Sequence, residues 1–108
     1  MTNYQKGAAF EREVKADLIA KGWCAVRSAG SHGEIDVLAH HKQFALYVQC
    51  KKDGVLPTAE RKELMRLAEK HGASAILADK RERGFIAYTF LGRNGDRPFE
   101  PEGIGEYG

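Results

Sequence analysis

The stretch from Gly33 to Lys52, GEIDVLAHHKQFALYVQCKK, restricts the fold of this chain more than any other. Ile35, Val37 and Ala39 alternate with Glu34, Asp36, Leu38 and His40, and Phe44, Leu46, Val48 and Cys50 alternate with Ala45, Tyr47, Gln49 and Lys51. Successive side chains of a strand leave opposite faces, so each run predicts a strand. His41-Lys42-Gln43 is short enough for a hairpin between them. Antiparallel pairing then brings Asp36 near Gln49 and Lys51, and parity puts Gln49 and Lys51 on one face.

An acid, an amide and an ammonium in that relation suit phosphodiester hydrolysis. The reaction needs oxygen ligands for Mg²⁺, which offsets transition-state charge and acidifies a bound water, and a cation near the attacking or leaving oxygen. Asp36, the Gln49 amide oxygen and Lys51 supply such groups. The same three residues equally make the solvated face of an amphipathic hairpin, and spacing alone does not choose between the two.

The flanking elements follow from simple patterns. Thr2-Asn3-Tyr4-Gln5 fits a capping box, and Phe10, Val14 and Leu18 recur every four residues until Gly22, which predicts an amphipathic helix. At about 100° per residue, Glu11 lies on the rim of the apolar stripe and Glu13 further towards water. Glu11 is thus the acid better placed to reach a site on the sheet, or else it forms a surface pair with Lys15. Trp23 to Ser28 predicts a first strand, and Ala29-Gly30-Ser31-His32-Gly33 a small-residue loop. Arg27 beside that loop has the fork geometry to hold a phosphate oxygen. His32 is either a DNA contact or a solvated loop residue.

Lys52 to Pro57 reads as a connector and Thr58 to about His71 as a second helix, with Leu64, Leu67, Ala68 and His71 on one face. Its basic residues interleave with Glu60, Glu63 and Glu69, which predicts a solvated helix surface. Ala73 to Ala78 is a buried run, Asp79 to Gly84 a charged turn, and Phe85 to Leu91 a last alternating strand. The order is αβββαββ. One domain over residues 1–91 is expected, with residues 92–108 a flexible tail rich in Gly, Pro and acids unless Phe99, Ile104 or Tyr107 docks it.

Charge and composition add limits. The formal net charge is +2 over 108 residues, and the tail's two arginines against four acids leave +4 for residues 1–91, compatible with a polyanion partner. No run has the apolar length of a membrane span, and MTNYQKGAAFER lacks the apolar core of a signal peptide. A cytoplasmic protein is expected, in the cytoplasm of a host if the source is viral. Cys24 and Cys50 stand alone inside strand-like runs, which predicts buried reduced thiols.

Taken together, KGAAFEREV (Lys6 to Val14), GWCAVRSAGS (Gly22 to Ser31), EIDVLA (Glu34 to Ala39) and YVQCKK (Tyr47 to Lys52) resemble the archaeal-type Holliday junction resolvases of the PD-(D/E)XK nuclease superfamily. The motifs occur in the family's order across residues 6–52, and the likeness continues loosely to Leu91. The resemblance implies a restriction-endonuclease-like α/β core with a mixed five-stranded sheet flanked by helices. It also implies a homodimer, Mg²⁺ dependence with Mn²⁺ as a substitute, and paired nicks across a four-way DNA junction, with no small-molecule cofactor and no membrane.

By the same resemblance the helix-one glutamate falls on Glu11 and the catalytic aspartate on Asp36, while the E-x-K pair falls on Gln49 and Lys51. Glu11, Asp36 and Gln49 are the implied metal ligands. Arg12, Arg27 and Ser31 are the implied DNA contacts, and His32 and Lys52 are further candidate DNA contacts. Gln49 departs from the pattern, because the family usually has a glutamate there, and a neutral amide is a poorer ligand for a hard cation. Glu34 is a nearby acid that partly compensates if it reaches the site. A nuclease acting on ordinary or damaged duplex, and a junction-binding protein without catalysis, are the rival readings.

Overall fold

The computed structural model describes residues 3–28 and 35–102. Helix α1 spans Asn3–Ala20 and is followed by β1 (Cys24–Arg27), β2 (Val37–His41) and β3 (Phe44–Cys50). Helix α2 (Thr58–His71) then crosses to β4 (Ser74–Lys80), a 3₁₀ turn at Glu82–Gly84 leads to β5 (Ile86–Phe90), and β6 (Arg97–Phe99) closes the series. The six strands lie in sequence order in one sheet, antiparallel everywhere except between β3 and β4, which α2 joins as a parallel crossover.

Each face of the sheet carries one helix, because β3 and β4 are apolar on both sides. Phe10, Val14 and Leu18 of α1 are buried against Ala25, Val37, Ala39, Leu46, Val48, Ile76 and Ala78. Each such side chain is worth about 1.5–3 kcal/mol of apolar burial. On the opposite face, Leu64 and Ala68 of α2 pack with Ala75 and Leu91, flanked by Tyr47, Leu56 and Leu77. Gly72 ends α2 with φ at 72°, its N–H turned back to the carbonyls of Ala68 and Glu69, a left-handed stop that glycine adopts without strain.

The hairpin register pairs Val37 with Val48 and Ala39 with Leu46, so the parity expected from the alternation holds. Strand β4 runs further than the apolar run implies: Asp79 and Lys80 pair with Ala87 and Ile86, and the Lys80 N–H donates to the Lys52 carbonyl at 3.1 Å. The charged turn is correspondingly shorter. Cys24 is exposed rather than buried. It sits on the outward face of edge strand β1, where Val26 is also exposed and α2 does not reach. Cys50 is partly buried against the α1 side.

The sheet has six strands where five are expected, because the segment from 92 does not leave the domain at once. Arg97–Phe99 pairs with Tyr88–Phe90, Phe99 packs on the main core, and the Trp23 indole N–H donates to the Pro101 carbonyl at 3.1 Å. A buried indole needs both an apolar cover and an acceptor, and this segment provides both. Gly92 allows the turn into it: a Cβ there would stand 2.5 Å from the Gly95 carbonyl oxygen. Ile104 and Tyr107 lie outside the described residues.

Candidate active site

Topology gathers the chemistry at one edge of the sheet. β1 ends at Arg27 where β2 begins at Val37, and β3 ends at Cys50 on the same side. The connector after β3 brings the first turn of α2 back to that edge, while α1 passes over its other face.

Asp36 precedes β2 and is fixed by its backbone and its side chain. Its N–H donates to the Val48 carbonyl at 2.8 Å, and its carbonyl accepts from the Ser28 N–H at 2.9 Å. Its carboxylate accepts from the Cys50 N–H at 2.8 Å. Burial pushes its pKa up, the Cys50 hydrogen bond opposes this, and the charges of Glu11 and Glu60 add to the rise while Lys51 counters it. The outcome is a carboxyl raised from 3.8 to about 6. Burial also drives the Cys50 thiol far upward, with the charges of Asp36 and Glu11 adding to it, so the thiol beside the site stays protonated.

Gln49 shares the register position of Leu77 on β4, which places it on the α2 face with Tyr47 and Leu77. It is 5 % exposed, and its side-chain oxygen is buried without a hydrogen-bond partner among the described residues. An unpaired buried acceptor costs about 1–3 kcal/mol. Lys51 donates its backbone N–H to the Ala78 carbonyl at 3.0 Å, and its ammonium stands 3.1 Å from a Glu60 carboxylate oxygen.

Glu11 is largely buried on α1 and pairs with Arg27, not with Lys15: the guanidinium Nε and Nη2 donate to one carboxylate oxygen at 3.3 and 3.1 Å. Arg27 is therefore engaged by an acid of the protein itself. Glu13, further round the helix, bridges to Lys80 at 2.7 Å. Arg12 and Lys52 are exposed close by. Ser31, His32 and Glu34 lie outside the described residues.

These groups suit a divalent cation. Asp36, Gln49 and Glu11 offer oxygen donors, the ligand type a hard cation takes, and the orphaned Gln49 oxygen is an acceptor in want of a positive partner. Among the described residues, no three His, Cys, Asp or Glu side chains are gathered to hold a metal. The geometry agrees with this, since Gln49 is an amide and Arg27 engages Glu11.

Three comparisons bear on this edge. The family model of the archaeal Holliday junction resolvase (Hjc) matches residues 2–99. The chain belongs to that family. The crossover junction endodeoxyribonuclease Hjc of Methanocaldococcus jannaschii is 37% identical over 98 residues, spanning 85% of this chain and 73% of that one. A solved structure of Archaeoglobus fulgidus Hjc, a Holliday junction resolvase from an archaeal hyperthermophile, superposes with a TM-score of 0.67 at 30% identity. It covers 77% of this chain and 70% of that one. The fold is thus the resolvase fold, a mixed sheet flanked by helices, and the family is one of divalent-metal-dependent endodeoxyribonucleases.

One feature of this end of the sheet escapes a reading of the sequence. Glu60 looks like one acid among many on α2, yet it faces Lys51. Two basic residues of α2 are answered by acids, Arg61 by Asp96 and Arg66 by Glu63, while Glu69 of the same helix pairs with Arg93. His71 meets the Tyr47 hydroxyl at 2.8 Å. Among the described residues, no helix is long and apolar enough to cross a membrane.

Proposed function

We propose that this resolvase cuts four-way DNA junctions by paired symmetric nicks, with Mg²⁺ held by Asp36, the Gln49 side-chain oxygen and Glu11. The observation that carries this reading is the buried Gln49 oxygen, without a partner among the described residues, at the strand position adjoining the N–H that holds Asp36. When bound, the cation supplies charge stabilisation at the phosphate and acidifies a water. Asp36 supplies the unpaired carboxylate charge of the centre. Lys51 keeps an ammonium at its rim, where it stabilises developing charge or orients the water. Arg27, Arg12 and Lys52 position phosphates, together with Ser31 and His32 of the preceding loop. The protein acts as a homodimer on junction DNA.

A gel assay of an immobile four-way junction against linear duplex, with Mg²⁺ and with chelator, tests the reading. The expected result is cutting of the junction alone, only with the metal, and a fall of about 10²–10³-fold in rate for Lys51→Ala with junction affinity nearly kept. Equal cutting of linear duplex would favour a general nuclease. A Lys51→Ala defect confined to affinity would reassign Lys51 to phosphate positioning.

A further inference from the structure

Gln49 leaves the centre one negative charge short of a glutamate-bearing site, and the structure places another carboxylate on the same side. Glu60 stands in the first turn of α2, the helix that packs on the sheet face carrying Gln49. Its Oε1 lies 3.1 Å from the Lys51 ammonium, and the Glu60 side chain is about one-third exposed. The Lys51 charge also acts on Asp36, whose pKa it lowers, so this ammonium interacts with both acids.

The charges around the edge decide what Glu60 does there. Arg27 offsets Glu11, and Lys51 would otherwise offset Asp36, leaving a neutral cluster around a neutral amide. Such a cluster has little attraction for a dication, whose affinity depends on the number of ligand charges. With Glu60 engaging Lys51, Asp36 keeps its charge for a cation. The second, independent sign of a ligand is the Gln49 oxygen on that same face, 95 % shielded with its residue and without a partner among the described residues.

We infer that Glu60 is the compensating carboxylate of this metal centre, supplying from helix α2 the negative charge that Gln49 does not carry on strand β3. The role rests on the assignment of Asp36 and Gln49 to the metal. It makes Glu60 a positioning residue through Lys51, and it couples position 60 to position 49.

Titration of the full-length protein with Mn²⁺ alone, read by the electron paramagnetic resonance of the free ion, measures binding without DNA or turnover. Glu60→Gln should weaken Mn²⁺ binding about tenfold, because it leaves the Lys51 charge free to offset Asp36. The double variant Gln49→Glu/Glu60→Gln should return to wild-type affinity. Circular dichroism of each variant establishes that the fold is kept. Wild-type affinity in Glu60→Gln overturns the inference, as does a loss that Gln49→Glu fails to rescue. Asp36→Asn separates this from the reading beneath it. If it loses binding while Glu60→Gln does not, only the role of Glu60 falls; if it binds as wild type, the centre itself is misassigned and the role of Glu60 falls with it.

Discussion

The Asp36 carboxylate accepts the Cys50 backbone N–H at 2.8 Å, so the acid is tied to the one residue that separates Gln49 from Lys51. A single hydrogen bond thereby sets the spacing of three side chains from two strands. Because the donor is a backbone group at the end of a central strand, the spacing does not depend on any flexible partner.

This bond does not offset the burial of the charge, and a stability effect follows. The native pKa of about 6 lies above the usual 3.8, so the folded state binds the proton more tightly than the unfolded chain. Stability therefore falls as pH rises from about 4 to 6, and above that the ionised carboxylate is a standing cost. The shift corresponds to at most about 3 kcal/mol, which partial solvent contact reduces to ~1–2 kcal/mol. Asp36→Asn keeps an oxygen for the Cys50 N–H and removes the charge. Metal-free Asp36→Asn should melt several degrees above wild type at pH 8 and at the same temperature near pH 4, while cleaving no junction. A variant less stable than wild type at pH 8 would refute the strain assigned to Asp36.

Proton and cation compete for the same carboxylate, which gives a second expectation. The Mg²⁺ concentration for half-maximal cleavage should rise as pH drops below about 6, since a growing share of Asp36 is then protonated. Gln49→Glu should lower that concentration at every pH, whereas Gln49→Leu, which removes the oxygen but keeps the buried volume, should be nearly inactive. Full activity in Gln49→Leu would show that the amide is only a filler of the α2 face.

Much of this was open to a reader of the sequence, for physical reasons. The hairpin and the α1 stripe are local periodicities, and Val37, Val48, Phe10, Val14 and Leu18 obey them because one face of each element is dry. The neighbourhood of Asp36, Gln49 and Lys51 follows from hairpin register. Glu60 and the Arg27–Glu11 pair were hidden because no local pattern tells where a crossover helix starts over the sheet or which cation a helix acid meets sixteen residues away. Strand β6 was hidden for another reason: three residues with Pro98 in the middle carry no alternation, and only the demand of Trp23 for a cover makes them fold back.

That cover should be measurable. Trp23 is the only tryptophan, stands 6.4 Å from the Phe99 ring and is almost wholly buried. Phe99→Ala should cost about 2 kcal/mol and shift the tryptophan emission to the red. Truncation after Asp96 should cost more, since it also strips the indole N–H of the Pro101 acceptor. An unchanged midpoint and emission after truncation would show that residues 97–102 contribute nothing to the fold.

The last prediction concerns how one centre makes two cuts. Each chain carries one copy of the proposed centre, and resolving a junction takes two symmetric incisions. A two-fold homodimer presents two such edges, matching the approximate two-fold symmetry of a four-way junction. Its phosphate contacts carry no base information, so binding should follow DNA shape and weaken steeply with salt. Sedimentation should give a dimer at micromolar concentration. A supercoiled plasmid with an extruded cruciform should pass directly to linear product, because relaxation after a first nick reabsorbs the cruciform unless the second cut falls within the same complex. In a mixture of wild type with excess Asp36→Asn, most dimers that contain a wild-type chain hold one competent centre, and nicked circles should replace linear product. A monomer in sedimentation, or nicked circles from the wild-type protein alone, would overturn the dimeric mechanism.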